Sequence, residues 1–392
     1  MMRTIKFLLT HLIIFVLISG LSFADINLKL GDNIDSLKMK GDLRVRFERH
    51  DQDKDALDKK INNNPKDRFR TRFRLGLNWD NPTEKWELAA GLCTGTKGST
   101  STNDTWSYDE AGKASELFDT GDIRLDYAYA KHSIDKLTLI VGQQKIPFET
   151  SWLLWDSDVR PAGFTGKIDM DVAFGMLGIY DFIQNENDIG MLFSLQGGTK
   201  MELGNISFLG AMAAYIFNNN SFNDQSNDEA YDRPNKDYEF RIIDLYGEVT
   251  VKLDKKISVS PYLHLFKNIG ADGKKGEGLF QGSELEPDSE SLGWVLGVSG
   301  KLFDASYQLA YAQIGADSCI PDLKNGDFGS KLHDGVNVQG FVIGGGYKIT
   351  KHFGAEITGY FYEQLEDPFP LLNSKEDSQN MQLIHIDLKY KF

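Results

Sequence analysis

Cysteine and long apolar runs are both scarce in this sequence. Only Cys93 and Cys319 occur among 392 residues, which excludes a disulfide framework and leaves one bridge or two free thiols as alternatives. Beyond residue 24, no run approaches the roughly 18 continuous apolar residues of a spanning helix, which excludes helical membrane spans. No Cys/His cluster has the spacing of metal ligands, so we expect neither a metal nor a cofactor.

Positive charge is also in deficit. The chain has 43 Lys and Arg against 57 Asp and Glu, a net charge of -14, which argues against nucleic acid as a partner. The mean hydropathy is only -0.35. A barrel strand is compatible with such a value in a membrane, because every second residue of the strand faces a polar lumen.

The N-terminal region has the order of a secretory signal. Arg3 and Lys6 precede an apolar run over residues 7–21, and the small residues Ser22 and Ala24 follow it. This order predicts that a peptidase cuts before Asp25 and removes residues 1–24. The loss of two cations and no acid would bring the net charge from -14 to -16. We expect residues 25–40 to form a periplasmic lead-in and residues 41–392 to form one domain.

The end of the chain alternates between apolar and polar side chains. Ile384, Ile386, Leu388, Tyr390 and Phe392 share one parity, and polar side chains occupy the other. A period of two predicts a strand with one apolar face, although a soluble sandwich would alternate in the same way. A terminal Phe on the apolar face resembles the assembly signal of outer-membrane barrels, which implies the barrel-assembly machinery as a partner.

The same alternation predicts fourteen earlier strands. They lie near 42–48, 68–79, 85–93, 123–131, 136–142, 171–180, 188–196, 206–217, 238–253, 257–266, 292–302, 304–313, 338–349 and 353–362. Short turns and long polar loops alternate between them, as do the periplasmic turns and extracellular loops of outer-membrane barrels. Counts from the two ends of the chain disagree by one strand between residues 143 and 170. Because such barrels usually have an even number of strands, we predict a hidden strand there and an all-β, transmembrane, antiparallel barrel of about 16 strands, with 14 and 18 as alternatives.

Four stretches of the sequence resemble outer-membrane porins of bacteria. They are residues 41–49, 67–77, 141–148 and 153–164, and the resemblance extends from about residue 40 to the end. It implies a channel in the outer membrane of a Gram-negative bacterium, in contact with lipid and lipopolysaccharide, but it names no solute. Porins of this size are often homotrimers. Arginine-rich opening strands also occur in alginate exporters, so a substrate-specific channel or an exporter is an alternative.

Arginines dominate one parity of the first strands. The predicted lumen-facing residues are Arg44, Arg46, Arg68, Arg70, Arg72, Arg74 and Arg124. Arginine is always protonated, so a column of guanidinium groups in a wall of low dielectric constant would favour anions. The alternative is a structural network in which these arginines pair with lumen acids, namely Asp42, Glu48, Glu87 and Asp126.

Residues 143–170 are the candidate constriction segment, because about 16 strands enclose a water-filled lumen that a porin must narrow. The candidate residues are Lys145, Glu149, Asp156, Asp158 and Arg160. Acids of this segment opposite the arginines would set a transverse field. The alternative is an external loop that caps the barrel.

A passive channel for small hydrophilic solutes is the function these features favour, and we expect no enzymatic activity. His264 is predicted to lie opposite Tyr246 and diagonal to Asp244, but no Gly-x-Ser-x-Gly signature accompanies this pair. A barrel protease or lipase is therefore the least favoured alternative. An adhesin or receptor that acts through its long loops, such as residues 218–237, is another.

Overall fold

The computed structural model describes residues 36–52, 66–95, 100–106, 122–184, 189–218, 239–280, 282–330, 335–367 and 380–392. Their strands are β1 Ser36–Gln52, β2 Lys66–Asn81, β3 Trp86–Thr94, β4 Asp104–Thr105, β5 Ile123–Ile134, β6 Leu137–Gln143, β7 Ala162–Asp169, β8 Ala173–Gln184, β9 Ile189–Leu203, β10 Ile206–Phe217, β11 Arg241–Asp254, β12 Ile257–Asn268, β13 Leu292–Leu302, β14 Ala305–Ile314, β15 Val338–Lys348, β16 Phe353–Gln364 and β17 Asn380–Lys391. Within these ranges, no helix is long and apolar enough to cross a membrane.

The sheet closes on itself as an antiparallel barrel. Sixteen long strands pair with their neighbours around the barrel, and β1 pairs with both β2 and β17. At this seam, Leu43 lies opposite Phe73 on β2 and opposite Tyr390 on β17. The two-residue strand β4 pairs with β2, where Thr105 lies opposite Arg70. The fold predicted from the alternation is confirmed.

The hidden strand is β7, which pairs with β6 and β8. Phe164 and Ile168 point outward and are 38% and 44% exposed, but Gly166 takes the outward position between them. The outward face of this strand therefore lacks the row of apolar side chains that marks the others. The expectation of an even number of strands predicted β7, which the hydropathy pattern did not reveal.

The first strand begins earlier than predicted. β1 starts at Ser36, because Leu37 lies opposite Trp79 and Lys40 lies opposite Gly76 in a continuous ladder with β2. Residues 36–40 are therefore part of the barrel, which corrects that part of the predicted lead-in. The predicted signal peptide and residues 25–35 lie outside the described residues.

The terminal residue packs over the seam. The ring of Phe392 stacks on Phe73 with 6.4 Å between centroids. Gly41 and Phe392 exchange two backbone hydrogen bonds of 3.0 Å. A Cβ atom at Gly41 would lie 2.4 Å from the Phe392 ring, so glycine is the residue that allows this close approach.

The interior of the barrel is not uniformly polar. Toward the extracellular ends of β13 to β17, the inward side chains are apolar and buried, among them Val295, Ile314, Val338 and Leu383. They pack with apolar residues of two connections that fold into the barrel. This part of the interior is therefore filled, unlike the water-filled lumen of an open barrel. Burial of these apolar side chains is favourable because it removes them from water.

Candidate functional site

One connection, residues 144–161 between β6 and β7, lies against the inner wall, and we call it the inward segment. Its apolar side chains Phe148, Leu153 and Trp155 are buried. The rings of Phe148 and Trp155 lie 4.8 Å and 5.2 Å from the ring of Tyr215 on β10. Trp152 Nε1 donates a 2.8 Å hydrogen bond to the hydroxyl of Tyr262. These partners belong to the barrel interior, whereas a cap would cover its rim.

Polar contacts fix the start of the inward segment to β9. The backbone N–H of Glu149 donates to the Gln196 side chain at 2.9 Å, and the Gln196 amide returns a 2.9 Å bond to the Glu149 carbonyl. The Glu149 carboxylate accepts a 2.6 Å bond from Lys200. Glu149 therefore lies with these groups of β9. It does not line the cavity described below, which Asp156 and Asp158 line.

A buried Ser–His–Asp chain is the next contact. Asp244 accepts a 2.7 Å hydrogen bond from His264 Nε2, so His264 Nδ1 is left to accept from the Ser151 hydroxyl at 2.6 Å. Ser151 Oγ also accepts from the Leu153 N–H at 3.2 Å. The His264 and Asp244 side chains are 0% and 1% exposed. The sequence located the His–Asp pair, but the serine comes from a distant connection and could not be inferred from its spacing.

A second connection also enters the barrel. Residues 315–330, which include a short 3₁₀ helix at Pro321–Leu323, form the inner loop. Asp156 N–H donates to the Leu323 carbonyl at 2.7 Å, and Asn325 N–H donates to the Leu153 carbonyl at 3.0 Å. This loop was not predicted from the sequence. Its signal was the apolar residues Ile320 and Phe328 in a polar stretch, both of which are buried.

The predicted arginines line one side of a cavity of about 360 Å³. We call Arg44, Arg46, Arg68, Arg70, Arg72 and Arg74 the arginine wall. All of them except Arg74 line this cavity, together with Glu48, Asp156, Asp158 and Asp327. Five guanidinium groups therefore meet four carboxylates. Asp327 belongs to the inner loop and was not a predicted site residue.

Ion pairs within the wall offset its cross-strand repulsion. Arg44 lies opposite Arg72 and Arg46 lies opposite Arg70, a register that places like charges side by side. Arg46 forms bonds of 2.7 Å and 3.0 Å to the two oxygens of Asp387 on β17. Such bidentate pairs are the strong form of this interaction.

Two further acids complete the network. Arg68 donates to Glu48 at 2.7 Å, and Arg72 Nε donates to Asp42 at 3.0 Å. Glu48 is 1% exposed and also lies 3.4 Å from Arg70. Of the predicted acids, Asp42, Glu48 and Asp126 pair with arginines. Glu87 is the exception, because it pairs with Lys131 at 2.7 Å.

The wall is joined to the inward segment through Asp158. Arg74 donates to Asp158 and, at 2.8 Å, to the hydroxyl of Thr102. Thr102 in turn donates from its N–H at 3.1 Å and from its hydroxyl at 3.0 Å to the same carboxylate. Asp158 thus connects β2, the loop around residue 102 and the inward segment.

The other predicted residues lie around this cavity. Arg160 donates to Asp126 at 2.7 Å, and Lys145 lies 5.3 Å from the ring centroid of Tyr127. Arg124 donates to the carbonyl oxygens of Thr100 and Ser101 at 2.7 Å and 2.6 Å. Arg160, Lys145 and Arg124 do not line the cavity.

The two acids of the inward segment that line the cavity, Asp156 and Asp158, differ in the direction of their pKa shifts. Burial raises the pKa of Asp156, and the neighbouring carboxylates Asp158 and Asp327 add to this, although two backbone N–H donors oppose it. Burial also acts on Asp158, but Arg74 and the Thr102 donors outweigh it and hold the pKa of Asp158 below its usual value. Asp156 therefore takes up a proton before Asp158 does.

Comparison with known proteins agrees with this architecture. Residues 51–237 match the family model described as "Putative porin". OprB of Pseudomonas putida, in a high-pH structure, is 10% identical, with a TM-score of 0.56 over 91% of this chain and 94% of that chain. The outer membrane channel DcaP of Acinetobacter baumannii is 13% identical, with a TM-score of 0.52 over 94% of this chain and 100% of that chain. This chain has the fold of the outer-membrane porins.

A third solved structure with this fold is OmpF of Salmonella typhi, in complex with daunomycin. It is 10% identical, with a TM-score of 0.52 over 94% of this chain and 100% of that chain. No curated protein matches the sequence. The resemblance to porins that the sequence suggested is confirmed, and at these identities the solved structures define the fold only.

The two cysteines of the porin are free. Cys93 on β3 and Cys319 in the inner loop are both buried and form no bridge. Burial raises the pKa of the Cys319 thiol to about 11 and, in the same loop, lowers the pKa of Lys324 to about 8. The Lys324 ammonium donates to the carbonyl oxygens of Asn325 and Phe328 at 2.6 Å and 2.5 Å, which fixes the shape of the inner loop.

Proposed function

We propose that small hydrophilic solutes diffuse passively through this porin between the arginine wall and the inward segment. The observation that carries the proposal is the cavity of about 360 Å³, which has arginines of β1 and β2 on one side and Asp156, Asp158 and Asp327 on the other. Opposed charges of this kind produce a field across the path and orient a dipolar solute. Residues 144–161 would then act as the constriction.

Anion preference should be weak. Five arginines line the cavity against four acids, one of which is Glu48, and Asp387 pairs with Arg46 from outside the lining. The small excess of positive charge favours anions, but most of the guanidinium groups are held in ion pairs. The two interpretations of the arginines are therefore compatible. Ion pairs within the wall hold most guanidinium groups, and the remaining positive charge acts on ions in the cavity.

The experiment is single-channel conductance of the purified, refolded protein in a planar bilayer under a salt gradient. We expect stable conductance steps and a reversal potential slightly toward anions. Absence of steps from folded protein would contradict the channel proposal. A cation preference would retain the channel and place the acids of the inward segment in control of selectivity.

Catalysis is not part of this proposal. The Ser151–His264–Asp244 chain resembles a nucleophile, base and acid in order, but Ser151 Oγ is engaged by the Leu153 N–H and the serine is only 8% exposed. A solute in the lumen could not reach a nucleophile enclosed in this way. We propose that the chain anchors the inward segment to β11 and β12.

Export and assembly complete the proposal. We propose that residues 1–24 are removed before Asp25, that Phe392 is read by the barrel-assembly machinery, and that the porin contacts lipopolysaccharide and forms a homotrimer. The mass of the protein purified from outer membranes tests the cleavage, with the loss of 24 residues as the expected result. Chemical cross-linking in the same membranes tests the trimer, and a purely monomeric pattern would contradict it.

A further inference from the structure

The inner wall changes character toward the periplasmic ends of β13 to β17. Above this level, the inward side chains of these strands are apolar and buried. Below it, the inward positions hold small hydroxyl-bearing residues, glycines, one glutamine, one glutamate and four lysines. The lysines are Lys301, Lys348, Lys389 and Lys391. This part of an acidic chain therefore carries concentrated positive charge.

Two adjoining cavities follow this surface. One of about 580 Å³ reaches the short turns, and one of about 350 Å³ lies farther up the wall. Both are lined by Lys301, Ser306, Gly346 and Glu356. A Cβ atom at Gly346 would lie 2.7 Å from Ser306 Oγ and 2.9 Å from Glu356 Cγ, so the glycine keeps this space open. We call the two cavities together the lysine vestibule.

Charge in the vestibule is strongly one-sided. The lower cavity is lined by Lys255, Lys256, Lys301, Lys348, Lys351, Lys389 and Lys391, against only Asp304 and Glu356. Glu356 is already paired with Lys389. Among the described residues, no carboxylate forms an ion pair with Lys301, Lys348 or Lys391. This contrasts with the arginine wall, whose guanidinium groups are mostly paired.

Hydroxyl donors line the upper cavity. Ser258, Ser260, Ser299, Ser306 and Thr358 all contribute to its wall. Hydroxyl groups donate hydrogen bonds to the oxygens of phosphate or carboxylate, and lysine supplies compact positive charge. A wall of low dielectric constant strengthens both interactions relative to bulk water.

The lysines face the lumen, which determines the kind of ligand. On β13, β15 and β17, the side chains of the opposite parity next to them are Leu302, Tyr347 and Tyr390, the first two 50% and 58% exposed on the outer surface. Lipid meets that apolar parity. A dissolved ligand in the lumen meets Lys301, Lys348 and Lys391.

We infer that the lysine vestibule is a binding site for dissolved oxyanions that carry two or more charges, such as phosphate or polycarboxylate groups. The lysines that line one cavity together produce a positive potential, which attracts an anion of two or more charges more strongly than a monovalent ion. This inference names a class of solute for the proposed channel. It rests on the proposed channel function, because the anion reaches the vestibule from outside the cell through that channel. Binding itself does not require conduction, so the two can be tested separately.

The test is calorimetric titration of inorganic phosphate into the full-length porin in a non-ionic detergent at pH 7.5 and constant ionic strength, with chloride as the comparison ion. We expect saturable phosphate binding and at least several-fold weaker binding of chloride. The variant Lys301→Gln/Lys348→Gln/Lys391→Gln should bind phosphate roughly tenfold or more weakly, because charges near a surface interact at an effective dielectric constant well below that of water. Phosphate binding unchanged in this variant, or absent from the wild type, would overturn the inference.

A matched control removes the same charge elsewhere. Lys85→Gln/Lys136→Gln/Lys274→Gln lies outside both cavities and should retain wild-type phosphate affinity. An equal loss of affinity in the control would show that only net charge matters, which also overturns the inference. Conductance of the same preparations separates the two proposals, since phosphate binding without conductance would overturn the channel and leave the vestibule.

Discussion

The two sides of the inward segment are held by opposite kinds of interaction. Toward β8 to β12 it is packed by Phe148, Leu153 and Trp155 in a water-free contact with the inner wall. Toward β1 and β2 it presents Asp156 and Asp158 to arginines across a cavity. The apolar side fixes the position of the segment, because packing excludes water from that contact. The charged side borders the cavity that we propose as the solute path.

Removal of the apolar contact should have the largest effect. Trp155→Ala empties the space against Tyr215 and Phe148, and substitutions of this kind cost roughly 3–5 kcal/mol. We expect a lower thermal unfolding temperature together with larger and noisier single-channel conductance, because the segment loses its fixed position. Trp106→Ala, at a side chain 50% exposed, is the control and should change neither. Unaltered conductance in Trp155→Ala would show that the apolar side does not position the segment.

The Ser–His–Asp chain is the polar part of the same contact, and its loss should have an intermediate effect. Ser151→Ala leaves the buried His264 Nδ1 without its donor, at a cost of roughly 1–3 kcal/mol. The measurement is thermal unfolding of Ser151→Ala, of Asp244→Asn and of the double variant, with non-additivity expected because the three groups act as one chain. If the two losses of stability were additive, Ser151 would act independently of the His264–Asp244 pair.

The same variant tests the enzymatic alternative. We expect the wild-type porin to show no hydrolysis of a nitrophenyl ester above background. Hydrolysis that Ser151→Ala abolishes and Ser151→Thr partly restores would return the protease or lipase interpretation.

Neutralisation of the charged side should alter ion selectivity. Arg70→Gln/Arg72→Gln/Arg74→Gln removes positive charge and leaves Asp42, Glu48 and Asp158 with fewer partners. We expect the reversal potential to move toward cations by a few tens of millivolts in a tenfold salt gradient, the scale set by screening in the lumen. Arg49→Gln is the control, since its side chain is 43% exposed and lies on the outward parity. An unchanged reversal potential in the triple variant would remove the arginine wall from selectivity.

The smallest expected effect is a dependence on pH. Because burial raises the pKa of Asp156 while that of Asp158 is held low, acidification should remove the Asp156 charge first. Negative charge opposite the wall then decreases, so anion preference should increase as pH falls toward the ordinary carboxyl range of about 4. Asp156→Asn should show the anion-shifted reversal potential at pH 7 and lose the first part of this response. A response that persists in Asp156→Asn would assign it to another acid.

The residues of the charged side could be predicted from the sequence. The arginine wall follows from strand parity, because Arg44, Arg46, Arg70 and Arg72 occupy alternate positions that face one way once the strands form. His264 and Asp244 were placed together by the short turn at residues 255–256. Such inferences depend on the period of two and on short connections, both of which are local.

The packed side could not be predicted in the same way. Ser151 meets His264 only because the inward segment crosses the barrel, and the inner loop enters beside it without any periodic signal. A connection folds inward when its apolar residues find partners across the lumen, which depends on the radius of the closed barrel and on every other connection. Phe328 is an example of such a partner. Its ring lies 5.7 Å from the ring of Trp152, although the two residues are far apart in the sequence.

The ion pair between Arg46 and Asp387 has a further consequence for how the barrel forms. It joins residues 341 positions apart across the seam of β1 and β17. Contacts of such sequence separation form late, because the entropy of closing a long loop must be overcome first. Until the seam forms, Arg46 and Asp387 each lack their main partner, and a membrane-inserted but unclosed sheet would expose both charges. An open sheet is therefore penalised by the same charges that the closed barrel neutralises.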